Sequence, residues 1–149
     1  MNADDVVNIE LIKRLKNLYA YYWDAGDVDQ LMTLFADEGT CVFGAKYGNW
    51  EGKAAVEAGF RGLLERNGYP KPFEIMHTFA NPVIDITGPD TAEGRWFLME
   101  FTTTVGETNP PRNFGVYHDH YRKVDGEWKI SRSSIDLVWP NRDVKGEAN

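Results

Sequence analysis

Basic charge, cysteine and long apolar runs are scarce in this chain, and each shortage removes a class of function. Sixteen Lys and Arg stand against 23 Asp and Glu, a net charge of −7, so no basic patch is large enough to neutralise a phosphate backbone or an anionic bilayer. Nucleic acid and membrane are therefore not expected as partners, and a neutral or weakly polar small molecule fits better. Cys41 is the single cysteine; it has no internal disulfide partner, and four-cysteine zinc patterns are absent. Apolar stretches run only a few residues, far short of the roughly 20 that cross a bilayer. The opening MNADDVVNIELIKRL is acidic where a signal peptide is basic and lacks a continuous apolar stretch. A reducing, cytoplasmic location is the expectation. Also missing are a glycine-rich phosphate loop, a Walker sequence and a nucleophile elbow, so no cofactor is expected.

What is present describes one globular domain over 1–149, with a core from about 5 to 139 and a frayed tail from 140 to 149. The 42% apolar and 13% aromatic content suffices for a core and a pocket in a chain that buries roughly 68–70% of its unfolded surface. Ile9, Ile12, Leu15, Leu18, Tyr19, Tyr22 and Trp23 recur at helical spacing, predicting a helix from Asp4 or Asp5 to about Trp23. Gly26 ends it, and Asp27 N-caps a short second helix with Val28, Leu31, Leu34 and Phe35 on its apolar side. A strand over 40–44, a turn-rich loop over 46–50 and a third helix over 52–66 follow. Four long extended segments come next, over 73–86, 91–105, 112–124 and 127–138, divided by TGPD, GETNPP and DG turns. Pro82, inside FANPVID, removes one ladder donor and marks a bulge or an edge. The expected class is α+β: a cone-shaped, curved, antiparallel (mixed) sheet with three N-terminal helices covering its concave face.

Several residues have the character of a site. Asp24 closes the first helix beside Tyr19, Tyr21, Tyr22 and Trp23; an acid there opposes the helix dipole, so it is either a solvated helix end or held by a second function. His77 lies in EIMHTFANPV and is either a hydrogen-bonded core residue or, if it faces the interior, a base in need of a carboxylate partner. Glu100 shares a strand face with Trp96, Leu98 and Thr102, so it is either a buried proton donor or part of a solvent or subunit face. His118 and His120 lie on the face opposite Tyr117, Asp119 and Tyr121; HxH alone is a weak ligand signal, and no metal is expected.

WDAGDVDQLMTLFADE, MHTFANPVIDITGPDTAEGRWFLMEF and YHDHYRKVDGEWKISR together resemble the SnoaL-like superfamily, which shares the fold of nuclear transport factor two. The resemblance extends from about residue 9 to 139 and is nearest to scytalone dehydratase, hexachlorocyclohexane dehydrochlorinase and bile acid 7α-dehydratase. It implies an aspartate at the end of the first helix paired with a histidine on the first long strand, which are Asp24 and His77 here. The bile-acid pattern adds a tyrosine five residues earlier, matching Tyr19, and an acid after GRW, matching Glu100 where the family has aspartate. Scytalone dehydratase has a second pocket tyrosine where Phe43 stands, and its later histidine has no match.

The implied activity is a cofactor-independent lyase reaction on a small hydrophobic cyclic or polycyclic hydroxy-carbonyl molecule, with Trp23, Phe43, Phe79, Trp96 and Tyr117 as apolar walls. The same scaffold hosts polyketide cyclases, isomerases and non-catalytic subunits of ring-hydroxylating dioxygenases, so the site must decide. Homodimers or homotrimers are the implied assemblies.

Overall fold

The computed structural model describes residues 2–67, 73–102 and 112–139. The NGYPKP and GETNPP turns, the expected strand end at Val105 and the tail lie wholly or mostly outside them. In chain order the elements are α1 (Ala3–Asp24), α2 (Val28–Met32), β1 (Phe35–Val42), α3 (Gly44–Tyr47), β2 (Asn49–Glu51), α4 (Lys53–Asn67), β3 (Ile75–Gly88), β4 (Thr91–Thr102), β5 (Arg112–Val124) and β6 (Glu127–Trp139).

A reciprocal cap starts α1: Asn2 Oδ1 accepts from the Asp5 amide at 2.9 Å, and Asp5 Oδ2 accepts from the Asn2 amide at 2.8 Å, satisfying two otherwise orphaned donors. The helix ends where Gly26 adopts φ 72°. There the Asp27 amide donates to Tyr22 O and the Gly26 amide to Trp23 O, the paired bonds of a Schellman stop. Asp27 then caps α2 through Gln30 N.

The six strands form one mixed sheet in the order β2-β1-β6-β5-β4-β3. The meander β3 to β6 is antiparallel as expected, and β1 joins β6 in parallel. The ladder between β3 and β4 shifts register between Ala80 and Val83, at Pro82, on a strand that is also the sheet edge. Helix α1 packs on β3 and β6, and α4 on β1 and β2. Among the described residues no helix is long and apolar enough to cross a membrane.

Several local expectations need correction. Phe35 opens β1 instead of closing α2, because the Leu34 carbonyl is taken by the Ile130 amide at 2.8 Å and the chain enters the sheet there. The loop expected over 46–50 holds the second half of the one-turn α3 and part of β2, a three-residue strand paired with β1, and the strand expected over 40–44 runs from Phe35 to Val42. Among the described residues the helices therefore number four, where three were expected. Gly59 in α4 is required by packing, since a Cβ at that position would overlap the Trp50 ring. Glycine lets Trp50 lie on α4 against Phe43 and Phe60.

Candidate active site

The end of α1 and the start of β3 are joined through backbone before any side chain is considered. The Phe73 amide donates to Asp24 O at 2.6 Å, which holds the incoming strand beside the helix terminus. The Asp24 carboxylate then bridges to β3 twice. Oδ2 accepts from the His77 backbone amide at 2.7 Å, and Oδ1 lies 2.6 Å from His77 Nδ1. Both side chains are nearly enclosed, at 5% exposure for His77 and 8% for Asp24. An ionised carboxylate only accepts hydrogen bonds, so Nδ1 is the nitrogen that carries the proton of a neutral His77 ring, and in that tautomer Nε2 keeps its lone pair.

Nε2 faces a cavity of about 210 Å³ whose wall includes Tyr19, Trp23, Phe43, His77, Glu100 and Tyr117. Glu100 Oε2 is 3.7 Å from His77 Nε2, and strand register explains the meeting, since His77 pairs directly with Glu100 across β3 and β4. Glu100 therefore faces the interior, not solvent or a subunit face. Its Oε1 accepts from Asn113 Nδ2 at 2.9 Å, Asn113 being its register partner on β5. Asn113 Oδ1 in turn accepts from Lys46 Nζ at 3.1 Å.

Tyr19 and Tyr117 meet edge to face with ring centres 6.2 Å apart, and burial, ahead of every other cause, pushes both phenols well above the ordinary tyrosine range. At neutral pH they are donors and not bases.

Two expected wall residues stand elsewhere. Trp96 shares the inner face with Leu98 and Glu100 as strand alternation requires, but it is four residues from Glu100, roughly 13 Å along the strand. It is 2% exposed and donates Nε1–H to Tyr121 Oη at 3.1 Å. Phe79 packs behind the wall, perpendicular to Tyr117 at 5.2 Å and 6.4 Å from Trp96. Trp96 belongs to the packing beneath the cavity, while Phe79 is half-buried and also borders an outer depression that it shares with Asp24 and His77. His118 and His120 lie on the exposed face, opposite buried Tyr117, Asp119 and Tyr121.

Sequence reasoning missed a buried ion pair under this floor. Lys16 is fully buried on α1, with Nζ 2.8 Å from Asp119 Oδ2 and 3.7 Å from the centre of the Tyr117 ring. Asp119 also accepts from Tyr121 Oη at 2.8 Å and Ser133 Oγ at 2.7 Å. Desolvation lowers the Lys16 pKa, and Asp119 opposes that shift. The signal was in the helical repeat: Lys16 lies four residues after Ile12 and three before Tyr19, on the apolar stripe. Asn113 and Lys46 were also missed, the first at the start of a strand and the second in a segment read as loop.

Comparison with known proteins agrees with this architecture. A candidate scytalone dehydratase from Novosphingobium aromaticivorans superposes with a TM-score of 0.81 at 22% identity, over 100% of both chains. An NTF2-like protein with a cystatin-like fold from the same species gives 0.76 at 20% identity, over 91% of this chain and 85% of that one. The type 3 hexachlorocyclohexane dehydrochlorinase LinA from Novosphingobium barchaimii gives 0.74 at 17% identity, over 91% and 90%. At these identities the likeness speaks for the fold. The profile of the SnoaL-like domain matches residues 5–134, a span that holds most of α1, nearly all of the meander and both members of the Asp24–His77 pair, and the chain belongs to the SnoaL-like family.

Proposed function

We propose that this protein is a cofactor-independent lyase that removes a proton from a small cyclic hydroxy-carbonyl substrate and expels its hydroxyl as water. The observation that carries the reading is the 2.6 Å contact between Asp24 Oδ1 and His77 Nδ1, with the other ring nitrogen turned to the cavity. Asp24 fixes the tautomer and stabilises the imidazolium that forms when Nε2 takes the proton. The acidic C–H of the substrate would lie next to its carbonyl. The Tyr19–Tyr117 phenol pair would donate to that carbonyl as enolate charge develops. Glu100, close to Nε2, would protonate the departing hydroxyl, either directly or with the proton that His77 has taken. Trp23, Phe43 and Phe60 exclude water from the reacting face.

The cavity is smaller than the roughly 300–1,000 Å³ usual for drug-sized ligands, which favours one or two rings over a steroid. A cyclase or an isomerase would begin with the same proton abstraction, and product analysis separates them.

The test is a panel of monocyclic and bicyclic β-hydroxy ketones followed by the absorbance of the enone product. His77→Ala and Asp24→Asn should each lower turnover by about 10²-fold or more, with the far-ultraviolet circular dichroism of the wild type. Rates equal to wild type in either variant would refute the reading.

A further inference from the structure

One charged group on the cavity wall has no part in the proton transfer. Lys46 lies on one-turn α3, bracketed by Gly44 at φ 73° and Gly48 at φ 121°, a conformation that suits glycine. Arg66, at the end of α4, donates Nη2–H to the Lys46 carbonyl at 3.2 Å, so the turn is tied to α4. Of the described residues lining the cavity, Lys46 alone carries an ammonium; the other polar groups there are phenols, the Trp23 indole, His77, Glu100 and Asn113. Its Nζ donates to the neutral amide of Asn113. Among the described residues no carboxylate is paired with it. An ammonium has three N–H donors, so among the described residues two are left without a protein acceptor.

We propose that the cavity takes a ring substrate bearing a carboxylate, which Lys46 receives at the mouth while the reacting carbon lies at His77. The inference rests on the proton-abstraction reading for the far end of the ligand. The carboxylate would accept from Nζ through charge-assisted hydrogen bonds, and its ring would lie against Trp23 and Phe43. Net charge of −7 repels anions at range, but that repulsion is screened beyond about 8 Å at physiological salt, so the local ammonium governs the bound state. Glu100 is separated from Lys46 by the Asn113 amide, which keeps the acid turned toward His77 and away from the ligand's charge.

The probes are benzoate and 2-naphthoate against their neutral isosteres benzamide and 2-naphthamide, measured by titration calorimetry. Wild type and His77→Ala should both bind an acid about tenfold more tightly than its amide. The preference should disappear in Lys46→Gln and return in Lys46→Arg. Equal binding of acid and amide to wild type, no binding of either pair, or a preference that survives in Lys46→Gln overturns the proposal. Binding is read without turnover, so the two ideas fail separately. Absence of carboxylate preference with turnover lost in His77→Ala removes the Lys46 assignment alone, and the opposite pair of results removes the base alone.

Discussion

Helix α1 sends two charged side chains into the interior, Lys16 and Asp24, roughly 12 Å apart along its axis, and they serve opposite ends. Lys16 meets Asp119 under a floor of three rings, with Tyr19, Phe79 and Tyr117 all within 4.7 Å of its Nζ. The Asp119 oxygens are further occupied by Tyr121 and Ser133. Asp24 likewise engages β3 with both oxygens, but its partner keeps one ring nitrogen toward the cavity. A buried pair whose carboxylate is fully occupied and whose ammonium is enclosed by rings, with nothing turned to the cavity, holds the fold together. A pair that turns one ring nitrogen to a cavity is where we propose the chemistry takes place.

The largest effect that could break this comparison is on stability. Lys16→Met leaves Asp119 without its cation and should cost about 3–5 kcal/mol in urea unfolding, far more than His77→Ala. Adding Asp119→Leu should recover part of the loss, since replacing both members of a buried pair is milder than orphaning one. A Lys16→Met protein as stable as wild type would mean the pair is dispensable.

Alkaline pH sharpens the same contrast. Tyr19, Tyr117 and Tyr121 all titrate well above the ordinary 10.0, chiefly because burial penalises phenolate. The unfolded chain releases these protons near pH 10 while the folded chain keeps them, so their contribution is complete below that value and is lost as pH rises beyond it. Lys16, shifted down, works in the other direction, but as one group against three. Stability to urea should fall as pH rises through about 10, and Tyr117→Phe should flatten the fall. A flat profile in wild type would contradict the burial of the phenols.

The smallest effect concerns Trp96. Trp96→Phe removes the donor to Tyr121 and should cost about 1 kcal/mol of stability, while turnover stays within about twofold because Trp96 is not on the cavity wall. A large loss of turnover would return Trp96 to the wall.

Much of this arrangement was legible in the sequence where local physics governs. The α1 repeat, the Gly26 stop, the bounds of β5 and the bulge at Pro82 each follow from side-chain period or a missing donor. Asp24 and His77 are 53 residues apart, and no local period pairs them; the need of an inward histidine for a carboxylate made Asp24 a possible partner, and family resemblance implied the contact. Alternation correctly put Trp96 and Glu100 on one face, but it fixes a face and not a depth, so Trp96 was misplaced into the cavity. Phe79 failed for the same reason. Lys16 escaped notice because a lysine on an apolar stripe reads as a snorkelling surface residue until Asp119 is seen opposite. Residues 46–51 were missed because one turn of helix and three strand residues are too short to show a period.

The most direct measurement needs no substrate. In ¹⁵N-histidine-labelled protein at about pH 7.5, two- and three-bond ¹⁵N–¹H correlations report which nitrogen of neutral His77 carries the proton. The dyad requires a protonated Nδ1 and a bare, pyridine-like Nε2 in wild type, with that bias lost in Asp24→Asn. A proton on Nε2 in the wild-type protein, or a tautomer indifferent to Asp24, would contradict the assignment of His77 as the base.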